Sequence, residues 1–417
     1  MNEGTQESVR ATSRPKYVVG MDAHSRKLAI SIWESTDPWN PIRYAEKPKC
    51  DISQMRQYYH ENVPLDSITI IEASTNSTLI KNILDEIGFR AEIVRADAIA
   101  GKQRKRKVCD IEDARTLANA YIHGDITEFV WTPSDEYSEY RDILFAYRDA
   151  VKELTRTSNR IWSLCCRKGY DFDIKAGETK ADSIRKMIES LDVAGFIKDR
   201  LEMLVKDYEY YLDRRNALER RMAEIVLKTK AMLALMQLPG VYFHAAFATQ
   251  VIVEDAHRFP TASKLAAYGG FAMIGNTSGE EEDRAKARGG TGKPLDGEGR
   301  RDLKTFFCEA GHTVLNSCAK MDIGKWGWRL VFKGKHKNKA ACAVGRKLLT
   351  YSWHIMRGDP TPNRESEAFF KRKMVRFYSE LGTNRMKELG FASRNEFAEK
   401  MAQDLYGHLS LPQNRQG

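Results

Sequence analysis

Short apolar bursts open the chain. Tyr17-Val18-Val19-Gly20-Met21-Asp22 is an apolar run that ends on a carboxylate, and Ile68-Thr69-Ile70-Ile71-Glu72 is a second. Residues 28–33 alternate or stay apolar and predict a strand joined to the first through Asp22-Ala23-His24-Ser25-Arg26-Lys27, a hairpin connection. Helical spacing is expected over residues 52–62 and 77–87, a short strand over 91–94, and a helix from about Cys109 to His123. Residues 17–133 therefore read as an α/β domain, strands first and helices later. The polar residues 1–16 show no period and read as a disordered tail.

The period then becomes helical. Residues 140–166 lack Gly and Pro and carry apolar positions at helical spacing. Residues 168–179 are a polar break, and 181–236 resume the helical pattern with an interruption near Gly195. The heavily charged stretch 211–223 suits a long amphipathic or coiled-coil helix, either as a bundle core or as a dimerisation arm. Leu238-Pro239-Gly240-Val241 stops this region, or forms a helix-hairpin-helix turn whose amides meet DNA phosphate; Tyr242 stands where such a turn usually has its second glycine. Residues 237–417 read as a mostly helical third domain, with helices near 245–252, 262–268, 301–319, 338–356, 364–379 and 394–405 around a Gly-rich charged segment over 274–301.

Composition narrows the partners. The 417 residues are 42% hydrophobic and 30% charged with a net charge of +10, which fits a folded chain with a polyanionic partner. None of the seven cysteines stands in a CxxC pair, which argues against structural zinc. Their scatter and the lack of a leader point to a reducing cytosol. No apolar run is long enough to span a membrane.

Four carboxylates carry the candidate chemistry. Asp22 and Glu72 end apolar strands, and Asp110 and Asp113 stand three apart on one face of a helix. Hard oxygen ligands suit Mg²⁺, and two such ions about 4 Å apart can clamp the attacking and leaving oxygens of a phosphoryl transfer. Asp110 also fits a plain N-cap, and Glu112 points off the shared face. The run Lys102, Arg104, Lys105, Arg106, Lys107 precedes the helical pair, a solvated loop or a phosphate contact. Ser278 lies in a glycine-flanked loop followed by Arg284, Lys286, Arg288 and Lys293. Such a serine is ordinary turn chemistry or a nucleophile steadied by those cations. Lys333, Lys335 and Lys337 form a second basic cluster near Trp326, Trp328, Tyr351 and Trp353, suiting single-stranded or RNA contact as well as a plain charged loop.

Strand pairs with carboxylates at their ends are the layout of an RNase H-like (RuvC-like) fold. Taken in order, Gly20-Met21-Asp22-Ala23-His24, Ile71-Glu72-Ala73-Ser74, Asp110-Ile111-Glu112-Asp113-Ala114, Val130-Trp131-Thr132-Pro133 and Asn159-Arg160 resemble the DEDD transposases of bacterial insertion sequences that move by RNA-guided (bridge-RNA) recombination. Piv-type DNA invertases are relatives of that family. Leu238-Pro239-Gly240 and the stretch from Arg258-Phe259-Pro260 to Gly269-Gly270 resemble its second signature, which continues to a serine before glycine, here Ser278-Gly279. A later motif departs: over 292–304, Gly299 and Leu303 hold, whereas Asp296, Gly297 and Arg300 do not. That departure suggests an altered subgroup.

The resemblance implies a RuvC-like domain over 17–133, a helical coiled-coil dimerisation region over 134–236, and a transposase domain over 237–417 carrying the serine. It implies a transposase that excises and inserts an element with a structured guide RNA pairing to donor and target double-stranded DNA. Asp22, Glu72, Asp110 and Asp113 would hold Mg²⁺, with Mn²⁺ able to substitute, and Ser278 would form a covalent phosphoserine. Subunits in a homodimer or homotetramer would combine the two domains into one site, in a bacterial cytoplasm at the nucleoid. Two rivals remain: a Holliday-junction resolvase or invertase, and a non-catalytic nucleic-acid-binding protein that keeps the fold.

Overall fold

The protein is described from a computed structural model, which covers residues 15–24, 27–99, 109–167, 169, 180–190, 195–272, 299–359 and 365–406. It divides into two compact units, residues 1–134 and 135–417.

Five strands make the sheet of the first unit: β1 (Tyr17–Ala23), β2 (Lys27–Glu34), β3 (Ile42–Asp51), β4 (Ser67–Glu72) and β5 (Arg90–Val94), in the order β3-β2-β1-β4-β5. β1, β2 and β3 are antiparallel neighbours, whereas β4 runs parallel to β1 and β5 parallel to β4. His24 donates its amide to the Lys27 carbonyl at 3.0 Å and closes the expected hairpin. β3 was not expected from the apolar pattern. Of the expected tail, residues 1–14 lie outside the described residues. Pro15 and Lys16 are instead tied down, both accepting from Ser35.

Alternation sorts the strand residues onto two faces. Val19, Met21, Ile30, Ile32, Ile71 and Ile93 pack with Met55 and Tyr59 of α1 (Ile52–Asn62) and Ile80 and Leu84 of α2 (Ser77–Glu86). Val18, Ile68, Ile70 and Val94 pack on the other face with Leu117, Ala118 and Ile122 of α3 (Asp110–His123). Gly20 and Asp22 belong to this second face. A methyl on Gly20 would lie 1.8 Å from the Ala114 carbonyl oxygen, so α3 can rest on β1 only because that residue has no side chain.

A polar clamp fixes α3 from the side. Arg115 donates through Nε and Nη2 to Glu46 of β3, each at 2.7 Å, and also pairs with Glu112. Ser31 of β2 donates to the same Glu46 carboxylate at 3.1 Å. The Arg115 hydrogen bond holds the Glu46 carboxyl below its ordinary range.

The second unit is helical among its described residues. Its long helices are α4 (Asp135–Arg167) and α6 (Gly195–Lys228), with α5 (Lys180–Ser190) between them. The expected break at 168–179 lies outside the described residues except for Gly169. Then come α7 (Lys230–Leu235), α8 (Phe243–Val253) and α9 (Ala262–Ala266), whose helix continues as one wide turn to Phe271. After them stand α10 (Arg301–Ser317), α11 (Asp322–Phe332), α12 (Lys337–Met356), α13 (Glu367–Leu381), α14 (Thr383–Glu388) and α15 (Arg394–Tyr406). The pattern had not marked α11 or α14, and the expected 181–236 helix breaks at Thr229. Ile143 and Leu144 of α4 and Met222, Ala223 and Val226 of α6 share one core with the later helices, so no core boundary falls at 236. The far parts of α4 and α6 close over α5 in a small core of their own, Ile161, Leu164, Ile184, Ile188 and Leu201.

Gly20→Ala is expected to destabilise the protein by about 1–3 kcal/mol, because overpacking here pushes on a helix backbone with no flexible side chain to yield. Chemical denaturation measures it. An unchanged midpoint would mean that α3 does not approach β1 this closely.

Candidate active site

Four carboxylates reach one end of the sheet from three elements. Asp22 is the penultimate residue of β1 and Glu72 the last of β4. The parallel register pairs Met21 with Ile71, so the next residues, Asp22 and Glu72, come side by side on the face that α3 covers. Asp110 and Asp113 lie in the first turn of α3, where negative charge also complements the helix dipole. Glu112 turns away to Arg115, as its position off the shared face had indicated.

The tightest group contains a residue that the carboxylate pattern omitted. Ligand atoms of Asp22, His24 and Asp110 all lie within 4.8 Å of one another. His24 Nε2 is 3.3 Å from Asp22 Oδ2 and 3.4 Å from Asp110 Oδ1. The sequence indicates only the Asp22 side of this group: residues two apart on a strand share a face, which places His24 beside Asp22 at the start of the hairpin turn. Glu72 and Asp113 are not in this triangle, but their charges act on Asp22.

Asp22 is only 8% exposed. Burial pushes its carboxyl above the usual range; His24 opposes this, and Glu72, Asp113 and Asp110 add to it. Like charges gathered around a buried acid make its ionised form costly, a cost that a bound cation would offset. That donor set, hard oxygens with one imidazole, fits a divalent cation.

Other sequence candidates fall into two groups. Lys102, Arg104, Lys105, Arg106, Lys107, Ser278, Arg284, Lys286, Arg288 and Lys293 lie outside the described residues, as do Asp296 and Gly297. Lys333, Lys335 and Lys337 are exposed at the α11–α12 connection beside Phe332, which is 81% exposed. Lys337 reaches Asn316 Oδ1 at 2.7 Å and lies 5.6 Å from the Trp328 ring centre. The aromatic neighbours split: Trp353 is buried, its Nε1 donating to the Ala256 and Phe259 carbonyls, so it is core and not contact surface.

Sequence around the Gly-rich segment folds for recognisable reasons. Thr261 caps α9 by accepting from the Lys264 amide, and Arg258 lies over the Phe259 and Tyr268 rings. Arg300 donates its amide to the Tyr268 carbonyl at 2.7 Å, and Gly299 sits where a methyl would meet the Gly270 amide nitrogen at 2.8 Å. The two described ends of the segment are therefore pinned together. Arg300, a departure from the resembled motif, grips Asp302 through Nε and Nη2 at 3.2 and 2.8 Å, and Arg148 joins at 3.3 Å.

The Leu238-Pro239-Gly240-Val241 turn faces inward. Lys373 Nζ donates to the carbonyls of Met236, Leu238 and Val241 at 3.0, 2.7 and 3.0 Å, and pairs with Glu365 at 2.8 Å. Leu238 and Val241 are fully buried. The turn is a packed helix stop, not a presented phosphate cradle.

Residues 232–322 match the family described as Transposase IS116/IS110/IS902 family. This stretch runs from α7 to the start of α11 and includes Ser278. No protein of curated function matches the chain. No helix among the described residues is long and apolar enough to cross a membrane.

A raised carboxyl stabilises the fold while protonated, and that contribution is lost as pH rises through the folded-state value. In metal-free buffer Asp22→Asn is therefore expected to stabilise the protein at pH 7 by about 1 kcal/mol, with the gain shrinking toward pH 4. Added Mg²⁺ should raise the melting temperature of the wild type more than that of the variant. A variant less stable than wild type at pH 7 without metal would mean the Asp22 carboxylate is structural.

Proposed function

From a chain that carries an IS116/IS110/IS902-family transposase domain over residues 232–322, supporting an IS110-type insertion-sequence transposase, we propose an RNA-guided DNA recombinase using a serine–phosphate intermediate. The observation that carries the reading is Asp22, a buried acid that feels the charges of Glu72, Asp113 and Asp110 and has Asp110 within the same ligand group. The sheet order β3-β2-β1-β4-β5, with an antiparallel half and a parallel half, supports an RNase H-like first domain.

In this reading the four carboxylates hold Mg²⁺, with Mn²⁺ able to substitute. When bound, the metal supplies Lewis-acid stabilisation of charge on the oxygens of a transferring phosphate. Burial of Asp22 keeps water from diluting that field, and the α3 contact holds Asp110 and Asp113 toward the strand ends. Ser278 Oγ attacks phosphorus, an Oγ–P bond forms as the strand's P–O bond breaks, Oγ loses its proton to solvent, and the leaving oxygen gains one. Reversal of this exchange on a second strand completes recombination without hydrolysis. In this reading the cations of two sequence runs, Lys102 to Lys107 and Arg284 to Lys293, meet phosphate, and the exposed Lys333, Lys335 and Phe332 suit the guide RNA. Assembly into dimers or tetramers through the helical arm is supported by exposed apolar residues on α4 and α6: Trp162, Phe196, Met203 and Tyr210.

The rival of a water-using resolvase shares the carboxylates and differs in one product. Incubating the chain with flanking RNA, donor and target DNA and Mg²⁺ is expected to yield a covalent protein–DNA band on denaturing gels, absent in Ser278→Ala. Cleavage without any band would favour the resolvase and remove Ser278 from the chemistry.

Two further outcomes follow from the same reading. Asp22→Asn should retain nucleic-acid binding while losing strand exchange, and a variant that exchanges strands normally would remove Asp22 from the site. Replacing Lys102, Arg104 and Lys105 with Ala should flatten the dependence of log K on log salt by up to about 2.7 for three lost phosphate contacts. An unchanged slope would exclude those residues from the interface.

A further inference from the structure

We propose that His24 is a third protein ligand at the Asp22–Asp110 end of the acidic site. One first-row divalent cation of the Mn²⁺ class would then be held there by two carboxylate oxygens and an imidazole nitrogen. The proposal rests on the carboxylate–metal reading above and adds both a ligand and a metal preference to it.

Geometry carries it. Nε2 stands 3.3 and 3.4 Å from the two carboxylate oxygens, and the ligand atoms of all three residues lie within 4.8 Å of one another. A six-coordinate ion with ligands at about 2.1–2.2 Å separates adjacent ligand atoms by about 3 Å and opposite ones by about 4.3 Å, so the two imidazole–carboxylate pairs already stand near the adjacent spacing. Neither imidazole contact is as short as the best charge-assisted hydrogen bonds, about 2.7–2.9 Å.

Position supports the same role. His24 is fixed at the backbone by its amide bond to the Lys27 carbonyl, at the mouth of the β1–β2 hairpin. Its side chain is 61% exposed and fills no core position. Removing it therefore tests ligation without removing packing. The imidazole also bears on metal choice. Mg²⁺ takes oxygen ligands and keeps its waters, whereas imidazole suits transition ions, and Mn²⁺ accepts both.

The alternative role for the same imidazole is a resident counter-charge that occupies the place of the cation. The two roles predict opposite signs. As a ligand, His24→Ala weakens Mn²⁺ binding; as a competitor, its removal tightens it.

The test uses the full chain with Mn²⁺ alone and then Mg²⁺ alone. Free Mn²⁺ is followed by electron paramagnetic resonance, and bound Mn²⁺ is probed by electron spin echo for nitrogen-14 coupling. We expect coupling in the wild type and none in His24→Ala or His24→Gln. Loss of the imidazole should cost roughly tenfold in Mn²⁺ affinity and less than about twofold for Mg²⁺. Mn²⁺ bound in an Asp22-dependent way without nitrogen coupling would overturn the ligand role and leave the carboxylate site standing. Tighter Mn²⁺ binding in His24→Ala would overturn it in favour of the counter-charge. Mn²⁺ binding unchanged in Asp22→Asn would overturn the carboxylate reading and the proposal together.

Discussion

The backbone of α3 lies on the backbone of β1 at Gly20, and the candidate active site depends on that contact. Asp22 and Glu72 are fixed by strand register alone. Asp110 and Asp113 reach them only if the first turn of α3 is held low over the strand ends. A methyl at residue 20 would overlap the Ala114 carbonyl at 1.8 Å, so the glycine sets the layer spacing. The Arg115–Glu46 clamp sets the rotation of the helix, since Arg115 is two residues past Asp113 and anchors the adjacent side of α3 to β3. Spacing from a missing side chain and rotation from an ion pair together place four acids that local sequence alone could not bring together.

Much of this was legible in the chain. The helix expected over residues 52–62 forms over those residues, and the carboxylates stand at or beside strand ends and in the first turn of a helix as the apolar pattern indicated. What escaped has physical causes. β3 carries Arg43, Glu46, Lys47, Pro48 and Lys49 and is mostly exposed, so neither alternation nor apolar content marks it. It is an edge strand, specified by pairing to β2 and by Arg115, both distant in sequence. α11 was hidden by Gly324 and Gly327, which weaken a helical reading. Packing requires them: methyls there would meet the Cys318 carbonyl at 2.1 Å and a Leu315 methyl at 2.6 Å. His24 lies just past the end of β1, and a lone histidine beside a turn carries no ligand signal until the fold brings Asp110 to it.

The helix-hairpin-helix alternative for residues 238–241 failed for a similar reason. A Pro-Gly turn between helices looks the same locally whether it faces solvent or core. The Lys373 ammonium, more than a hundred residues later, gathers two of its carbonyls and that of Met236 just before it, and nothing within the turn announces that partner.

Two buried charges show how structural and functional polar groups differ in this chain. Burial pushes Lys373 down and Glu365 up in proton affinity, yet each is met: the ammonium by three carbonyls and the carboxylate, the carboxylate by the ammonium at 2.8 Å. Removing either partner would strand the other in the core, so the pair specifies a turn and does little else. Asp22 is buried in the opposite surroundings. Three of the groups acting on it repeat its charge, and the imidazole that opposes them is 61% exposed to solvent. A fold selected for stability alone would replace such an acid by its amide. A buried carboxylate crowded by three like charges, beside a helix held in place by a glycine contact and a bidentate arginine clamp, is the arrangement a bound cation would stabilise.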